Sequence, residues 1–225
     1  MSTLRLAVFD VDGTLADSQG EIAGAMHAAF ASEALAPPSR AQILAIIGLS
    51  LDEAMLTLAP DQDAPCRARL VGAYRHAYST QRRQNGVSPL YPGAVAALEA
   101  LAGDPFLLMG VATGKSKRGV DALIEAHGLE RFFVTRQAAD FHPSKPHPAM
   151  LLAALDEAGV TPGNAVMIGD TRFDMDMARN AGVASLGVSW GYHPAETLDA
   201  DYLAADFADV PGMVAGLLGC SRENR

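Results

Sequence analysis

Two aspartates with one residue between them, Asp10 and Asp12, end an apolar run and are followed at once by Gly13 and Thr14 (AVFDVDGT). Like charges at the end of a buried segment repel, so the pair calls for a counter-charge. Three other points in the chain carry groups that could supply or use one: Thr113-Gly114-Lys115, Lys145 within HPSKPHP, and Asp170 with Asp174 in GDTRFD. Brought together, three or four carboxylates, a hydroxyl and an ammonium make a site of hard oxygen donors, which suits Mg²⁺. Lys145 and the hydroxyl then match a phosphoryl group resting on that cation.

These groups converge only if the elements that carry them lie side by side. Leu4–Phe9, Phe106–Ala112, Ala165–Ile168 and Ala184–Val188 read as buried strands, with Arg131–Thr135 and Tyr202–Ala204 as weaker candidates. Helical stretches fall between them at Gly93–Leu101, Ser116–His127, Pro148–Ala158 and Asp174–Asn180, several closed by glycine (Gly128, Gly159, Gly182). Apolar runs alternating with helices predict an α/β fold: a Rossmann-like parallel sheet with helices on both faces. In such sheets ligands bind outside the carboxyl ends of the strands, and Asp10, Thr113 and Asp170 all stand at or just beyond strand ends. The segment from about Ser18 to Leu90 differs. It lacks strand signals and reads as helices over Glu21–Glu33, Ser39–Ile47, Leu51–Leu58 and Cys66–Gln84. The expected organisation is an α/β core of residues 1–16 and 91–225 with a small all-helical cap, 17–90, inserted after the first strand.

Composition narrows the function. Lys+Arg 17 against Asp+Glu 26 gives a formal charge of −9, which argues against nucleic acid or an anionic membrane surface as partner. No apolar run approaches the length of a membrane span, and the opening MSTLRLAVFD is too short and too soon charged for a signal peptide. Cys66 and Cys220 are the only cysteines and lie far apart, so no disulfide framework is expected. A cytoplasmic enzyme with a small-molecule substrate, monomeric or homodimeric, is the expectation.

DVDGT, the Thr113-Gly114 strand end, the Lys145-Pro146 loop and GDTRFD resemble, in order, the four motifs of the haloacid dehalogenase-like superfamily. The helical insertion resembles that superfamily's cap of the first type. LADS after the first motif and SWGYHP after ASLGV resemble the phosphoglycolate phosphatase-like group. The resemblance implies a Mg²⁺-dependent hydrolysis of a small, phosphoglycolate-like phosphate monoester. Asp10 is then the nucleophile that forms an aspartyl-phosphate, and Asp12 the general acid and base, with its carbonyl on the metal. Thr113 and the Gly114 amide hold phosphoryl oxygens, and Lys145 balances charge. Asp170 ligates Mg²⁺, and Asp174 supports the metal or Lys145 from behind. It also implies a cis Lys145-Pro146 bond.

Other readings of the same residues exist. DVDGT suits a turn, Thr113 could cap the next helix, and Asp174 and Asp176 could be acidic residues of a helix's first turn. His142, His147 and Asp140 around Lys145 could form a transition-metal site, although three prolines suggest a rigid loop. Tyr74, Arg75, His76 and Tyr78 read as an ordinary helix surface more readily than as a substrate contact; Met167, Met175 and Met177 read as core. Gly48-Leu49-Ser50 is a candidate to face the site. A β-phosphoglucomutase-like phosphotransferase is the alternative enzyme, but its relatives follow the second aspartate with Gly-Val where this chain has Gly13-Thr14. A true dehalogenase needs no metal and lacks a carboxylate at the Asp12 position. A non-catalytic phosphate-sensing regulator on the same fold would not need the full set of groups.

Overall fold

The computed structural model describes residues 3–219; Cys220 lies outside them. Six strands, β1 (Arg5–Phe9), β2 (Leu107–Thr113), β3 (Phe133–Ala138), β4 (Ala165–Gly169), β5 (Ala184–Val188) and β6 (Tyr202–Ala204), form one sheet in the order β3-β2-β1-β4-β5-β6. Every pairing is parallel. Because both faces of such a sheet are covered, its central strands are largely apolar. In β1 the alternation is still visible: Ala7 and Phe9 enter one core cluster, Leu6 and Val8 the other. Helices α5 (Ala94–Ala102), α6 (Lys117–Ala126) and α9 (Val210–Gly219) cover the first face. Helices α7 (Ala149–Ala158) and α8 (Arg172–Ala181) cover the second.

Between β1 and α5 lie four helices: α1 (Gln19–Ser32), α2 (Arg40–Leu44), α3 (Leu51–Leu58) and α4 (Ala64–Asn85). They share a hydrophobic cluster of their own, built around Met26, Phe30, Ile43, Met55 and Leu70. Local chemistry sets their ends. Ser39 and Gln42 form a reciprocal capping box at α2, and the Asp63 side chain accepts from Cys66 N at 2.8 Å to start α4. The chain enters and leaves this insertion through two segments that hydrogen-bond to each other, Asp17 N to Pro89 O and Tyr91 N to Leu15 O, at 2.9 and 3.0 Å.

Three elements differ from expectation. β3 begins two residues later and runs to Ala138, because Glu130–Phe132 forms a 3₁₀ turn that buries Phe132. The polar Arg136-Gln137 continuation hides this edge strand in the sequence; Gln137 is buried with its amide donating to Thr135 Oγ1. α2 stops at Leu44, and Ala45–Ile47 continue as turns into Gly48. α9 was not foreseen, since VPGMVAGLLG carries a proline and three glycines. Among the described residues no helix is long and apolar enough to cross a membrane.

Candidate active site

β1 lies between β2 and β4, the strands to which the chain crosses in opposite directions. The switch point of the sheet is therefore at the carboxyl end of β1, where a crevice opens in folds of this kind. Asp10 follows β1 directly, its amide donating to Ile168 O at 2.9 Å. The chain then turns sharply: Thr14, Leu15 and Ala16 all donate to Val11 O. Gly13 sits at φ +87° in this turn, and a Cβ there would lie 2.2 Å from the Asp170 carboxylate. Gly191 meets the same carboxylate from the other side, where a Cβ would fall 2.0 Å from Asp170 Cβ. Two glycines thus let backbone close around Asp170.

The predicted residues converge. Asp10, Thr113, Lys145, Asp170 and Asp174 are all buried, and Asp12 nearly so. Carboxylate oxygens of Asp10, Asp170 and Asp174 lie within 4.8 Å of one another. Lys145 Nζ stands 2.6 Å from Asp174 Oδ1 and 3.1 Å from Asp10 Oδ1. The approach to Asp10 is an ion pair without hydrogen-bond alignment, so both Asp10 carboxylate oxygens lack a hydrogen bond. Asp174 is fully engaged: Oδ1 takes Lys145, and Oδ2 accepts from Thr171 N and Oγ1 at 3.0 and 2.7 Å. It takes part in the α8 capping box with Thr171 and contacts Lys145 at once. Asp170 accepts from Thr14 Oγ1 at 2.8 Å and from Tyr192 N at 2.9 Å.

The electrostatics follow from the count of charges. Four carboxylates face two ammonium groups, Lys145 and Lys115. Burial pushes the Asp10 carboxyl up to about 7, with Lys145 opposing and Asp174 and Asp12 adding to the rise. Asp170 is also held well above the carboxylate range, first by burial and then by Asp174 and Asp10. Burial alone would lower Lys145, but Asp10 and Asp174 outweigh it and keep it charged. Undercompensated negative charge, hard oxygen donors and a carboxylate with no hydrogen bonds fit a divalent cation between Asp10 and Asp170.

Asp12 stands apart from that cluster. Its Oδ1 accepts from Ser18 Oγ at 2.5 Å and pairs with Lys115 Nζ at 2.8 Å. Lys115 also donates to the Tyr78 hydroxyl of α4 at 3.0 Å. Above the strand ends is a cavity of about 520 Å³, with Asp10, Asp12, Thr113 and Gly114 on its floor and α1, α3 and α4 in its walls. Gly48-Leu49-Ser50 closes over the floor as expected. A Cβ on Gly114 would lie 2.6 Å from Gly48 O, and Ser50 N donates to Ser144 Oγ, next to Lys145, at 2.8 Å.

Several alternatives resolve differently. Thr113 does not cap α6; Ser116 does, accepting from Gly119 N, while the Thr113 hydroxyl accepts from Lys115 N. His142 pairs with Gln137, His147 with Ala149 N and Asp140 with Lys117 N, so these three serve separate partners. Asp176 pairs with Arg179 on the surface, and Met167, Met175 and Met177 are core. The Lys145-Pro146 bond is cis. Tyr74, Arg75 and Tyr78 correct the ordinary-helix reading, because all three line the cavity, whereas His76 does not. Lys115, Ser18, Thr14 and Tyr192 were not assigned to the site from sequence. Lys115 had a signal, its place directly after Thr113-Gly114. Tyr192 reaches the site only through the fold, its hydroxyl accepting from Ser18 N across the crevice.

The fold and the converging carboxylates define a hydrolase of known type. Residues 7–188 match the model for the haloacid dehalogenase-like hydrolases, and the chain belongs to that family. Over 223 residues it is 35% identical to a protein of Dickeya dadantii named probable phosphatase IndB, covering 96% of each chain. It is 30% identical over 224 residues to the phosphoglycolate phosphatase of Vibrio parahaemolyticus, covering 94% of this chain and 96% of that one. A crystal structure of a hydrolase from Pseudomonas syringae superimposes with a TM-score of 0.83 at 25% identity, covering 94% of this chain and 98% of the other.

Proposed function

We propose that the chain is a Mg²⁺-dependent phosphatase that hydrolyses a small phosphate monoester through an aspartyl-phosphate on Asp10, beneath a cap of residues 17–90. The observation that carries this reading is Asp10 itself, a buried carboxylate with no hydrogen bond, set on the floor of a cavity beside Lys145. Lys145 at 3.1 Å opposes the effect of burial and favours the ionised form of Asp10, in which its oxygens are free to attack.

Asp10, Asp170 and the Asp12 main-chain carbonyl are the groups that would hold Mg²⁺, which when bound offsets the charge of the phosphoryl oxygens and of Asp10. The Thr113 hydroxyl and Gly114 amide orient the phosphoryl group, and Lys145, fixed by Asp174, neutralises it. Asp10 attacks phosphorus in line with the ester oxygen; the P–O bond of the ester breaks, and Asp12 gives its proton to the departing alkoxide. A water molecule then loses a proton to Asp12 and attacks the acyl phosphate, releasing inorganic phosphate and regenerating the Asp10 carboxylate. Closure of Gly48–Ser50 over Gly114 keeps bulk water from the first step. The two crossings at residues 16–18 and 86–91 are the hinges on which the cap opens for exchange.

Turnover of a phosphate ester with Mg²⁺, its loss after exhaustive EDTA treatment, and phosphate recovered on Asp10 after acid quench are the expected results. Full activity after EDTA treatment contradicts the metal requirement. Steady turnover by Asp10→Asn contradicts the nucleophile.

A further inference from the structure

The cavity is larger than the reaction requires. At about 520 Å³ it falls in the range of roughly 300–1,000 Å³ that encloses drug-sized ligands. The ester of a two-carbon acid, the substrate named for several relatives, would fill only the phosphoryl end. The remainder has one apolar side. Met26 of α1, Ile46 and Ile47 before the closing loop, and Ala54 of α3 form an apolar wall there. Tyr74 and Tyr78, one turn apart on α4, complete it. Their rings stack with centroids 5.9 Å apart and planes at 20°.

The charges point the same way. Lys115, the one ammonium deep in this part of the cavity among the described residues, is already held by Asp12 and the Tyr78 hydroxyl. Arg75 and Arg118 line the cavity only at its exposed rim, and Arg82 is half-buried beside them. A carboxylate on the body of the substrate would be costly against the apolar wall unless it reached Arg75, Arg82 or Arg118. Flat unsaturated rings stack on aromatic side chains regardless of their exact identity.

We propose that the phosphate ester hydrolysed here carries an uncharged flat ring of nucleobase kind, which packs along Tyr74, Tyr78 and the apolar wall of the insertion. This rests on the phosphatase reading of the previous subsection. It makes Tyr74 a specificity-determining residue.

The test is a matched pair of substrates. A nucleoside 5′-monophosphate and ribose 5-phosphate both release a primary 5′ alkoxide of ribose, so the ratio of their kcat/KM reports mainly the ring. With UMP and AMP as probes, the expected ratio over ribose 5-phosphate is tenfold or more. Tyr74→Ala should narrow it about tenfold, mainly through KM, and Tyr74→Phe should preserve it. Inhibition of the unmodified enzyme by uridine or adenosine, but not by ribose, gives the same answer without a variant that has to fold. A ratio near one, or a better substrate in 2-phosphoglycolate or fructose 1,6-bisphosphate, overturns the ring while leaving the phosphatase reading intact. Failure to hydrolyse any ester overturns the phosphatase reading instead. Nucleoside binding measured by calorimetry then decides the ring separately, its absence overturning it.

Discussion

On the floor of the cavity and directly beneath it, charged groups are held by partners of fixed geometry. Asp170 has Thr14 and Tyr192, Asp174 has Thr171 and Lys145, and Asp12 has Ser18 and Lys115. Asp10 alone has no hydrogen bond. In the walls contributed by the helical insertion the pattern is reversed: aliphatic side chains and tyrosines dominate, and Arg75 reaches solvent. A preorganised polar floor suits a single reaction, because fixed dipoles need not reorganise as charge moves. An apolar wall tolerates substitutions of similar volume. On the proposed reading, the chemistry lies in one part of the chain and the choice of substrate in the other.

The most severe way to break that division is to remove the unbonded carboxylate. Asp10→Asn should abolish turnover, a loss of roughly 10⁴–10⁶-fold, for every ester alike and with no phosphate left on the protein after acid quench. Asp12→Asn comes next. General acid–base groups contribute roughly 10²–10⁴-fold, so alkyl esters should lose about that much. An aryl phosphate with an acidic leaving group needs little protonation. It should give a burst of phenol followed by slow turnover, with phosphate trapped on Asp10. Equal losses for both kinds of ester without trapping would remove Asp12 from the acid–base role.

Gly114→Ala sharpens the comparison from the boundary between the two parts. The new methyl would lie 2.6 Å from Gly48 O and 2.7 Å from Leu49 O, so the closing loop must lift. A displacement near 1 Å at a reacting centre costs about 10²-fold, and kcat/KM should fall by that order whatever the ester body. A loss confined to large esters would place the contact in substrate choice instead. Arg118→Gln at the rim should have the smallest effect. It should raise KM by less than about threefold at low salt and vanish at 0.5 M salt, since exposed charge acts mainly on encounter and is screened.

How much of this was legible in the sequence depended on the distance over which each signal acts. The strand ends were legible because apolar runs and the residues after them are adjacent; Asp10, Thr113 and Asp170 could be placed before any coordinates. Lys145 was legible through the prolines around it. Contacts made by the fold were not. Nothing around Tyr192 announces that its hydroxyl would meet Ser18 N, 174 positions away. In α4 the sequence AYRHAY gives no sign of which face turns inward, because packing against α1 and α3 decides it. The edge strand β3 was cut short for a local reason: a buried glutamine satisfied by a neighbouring threonine looks in sequence like the start of a loop.

The ammonium of Lys115 touches both the carboxylate of Asp12 and the hydroxyl of Tyr78. This has an evolutionary consequence. Lining positions outside the insertion's own core can drift toward a new substrate, but position 78 cannot do so freely, because replacing its hydroxyl releases a partner of the lysine that pairs with Asp12, the acid–base residue of the proposed mechanism. Lineages that diverge in substrate should therefore vary at exposed lining positions such as 75 while position 78 changes only together with 115.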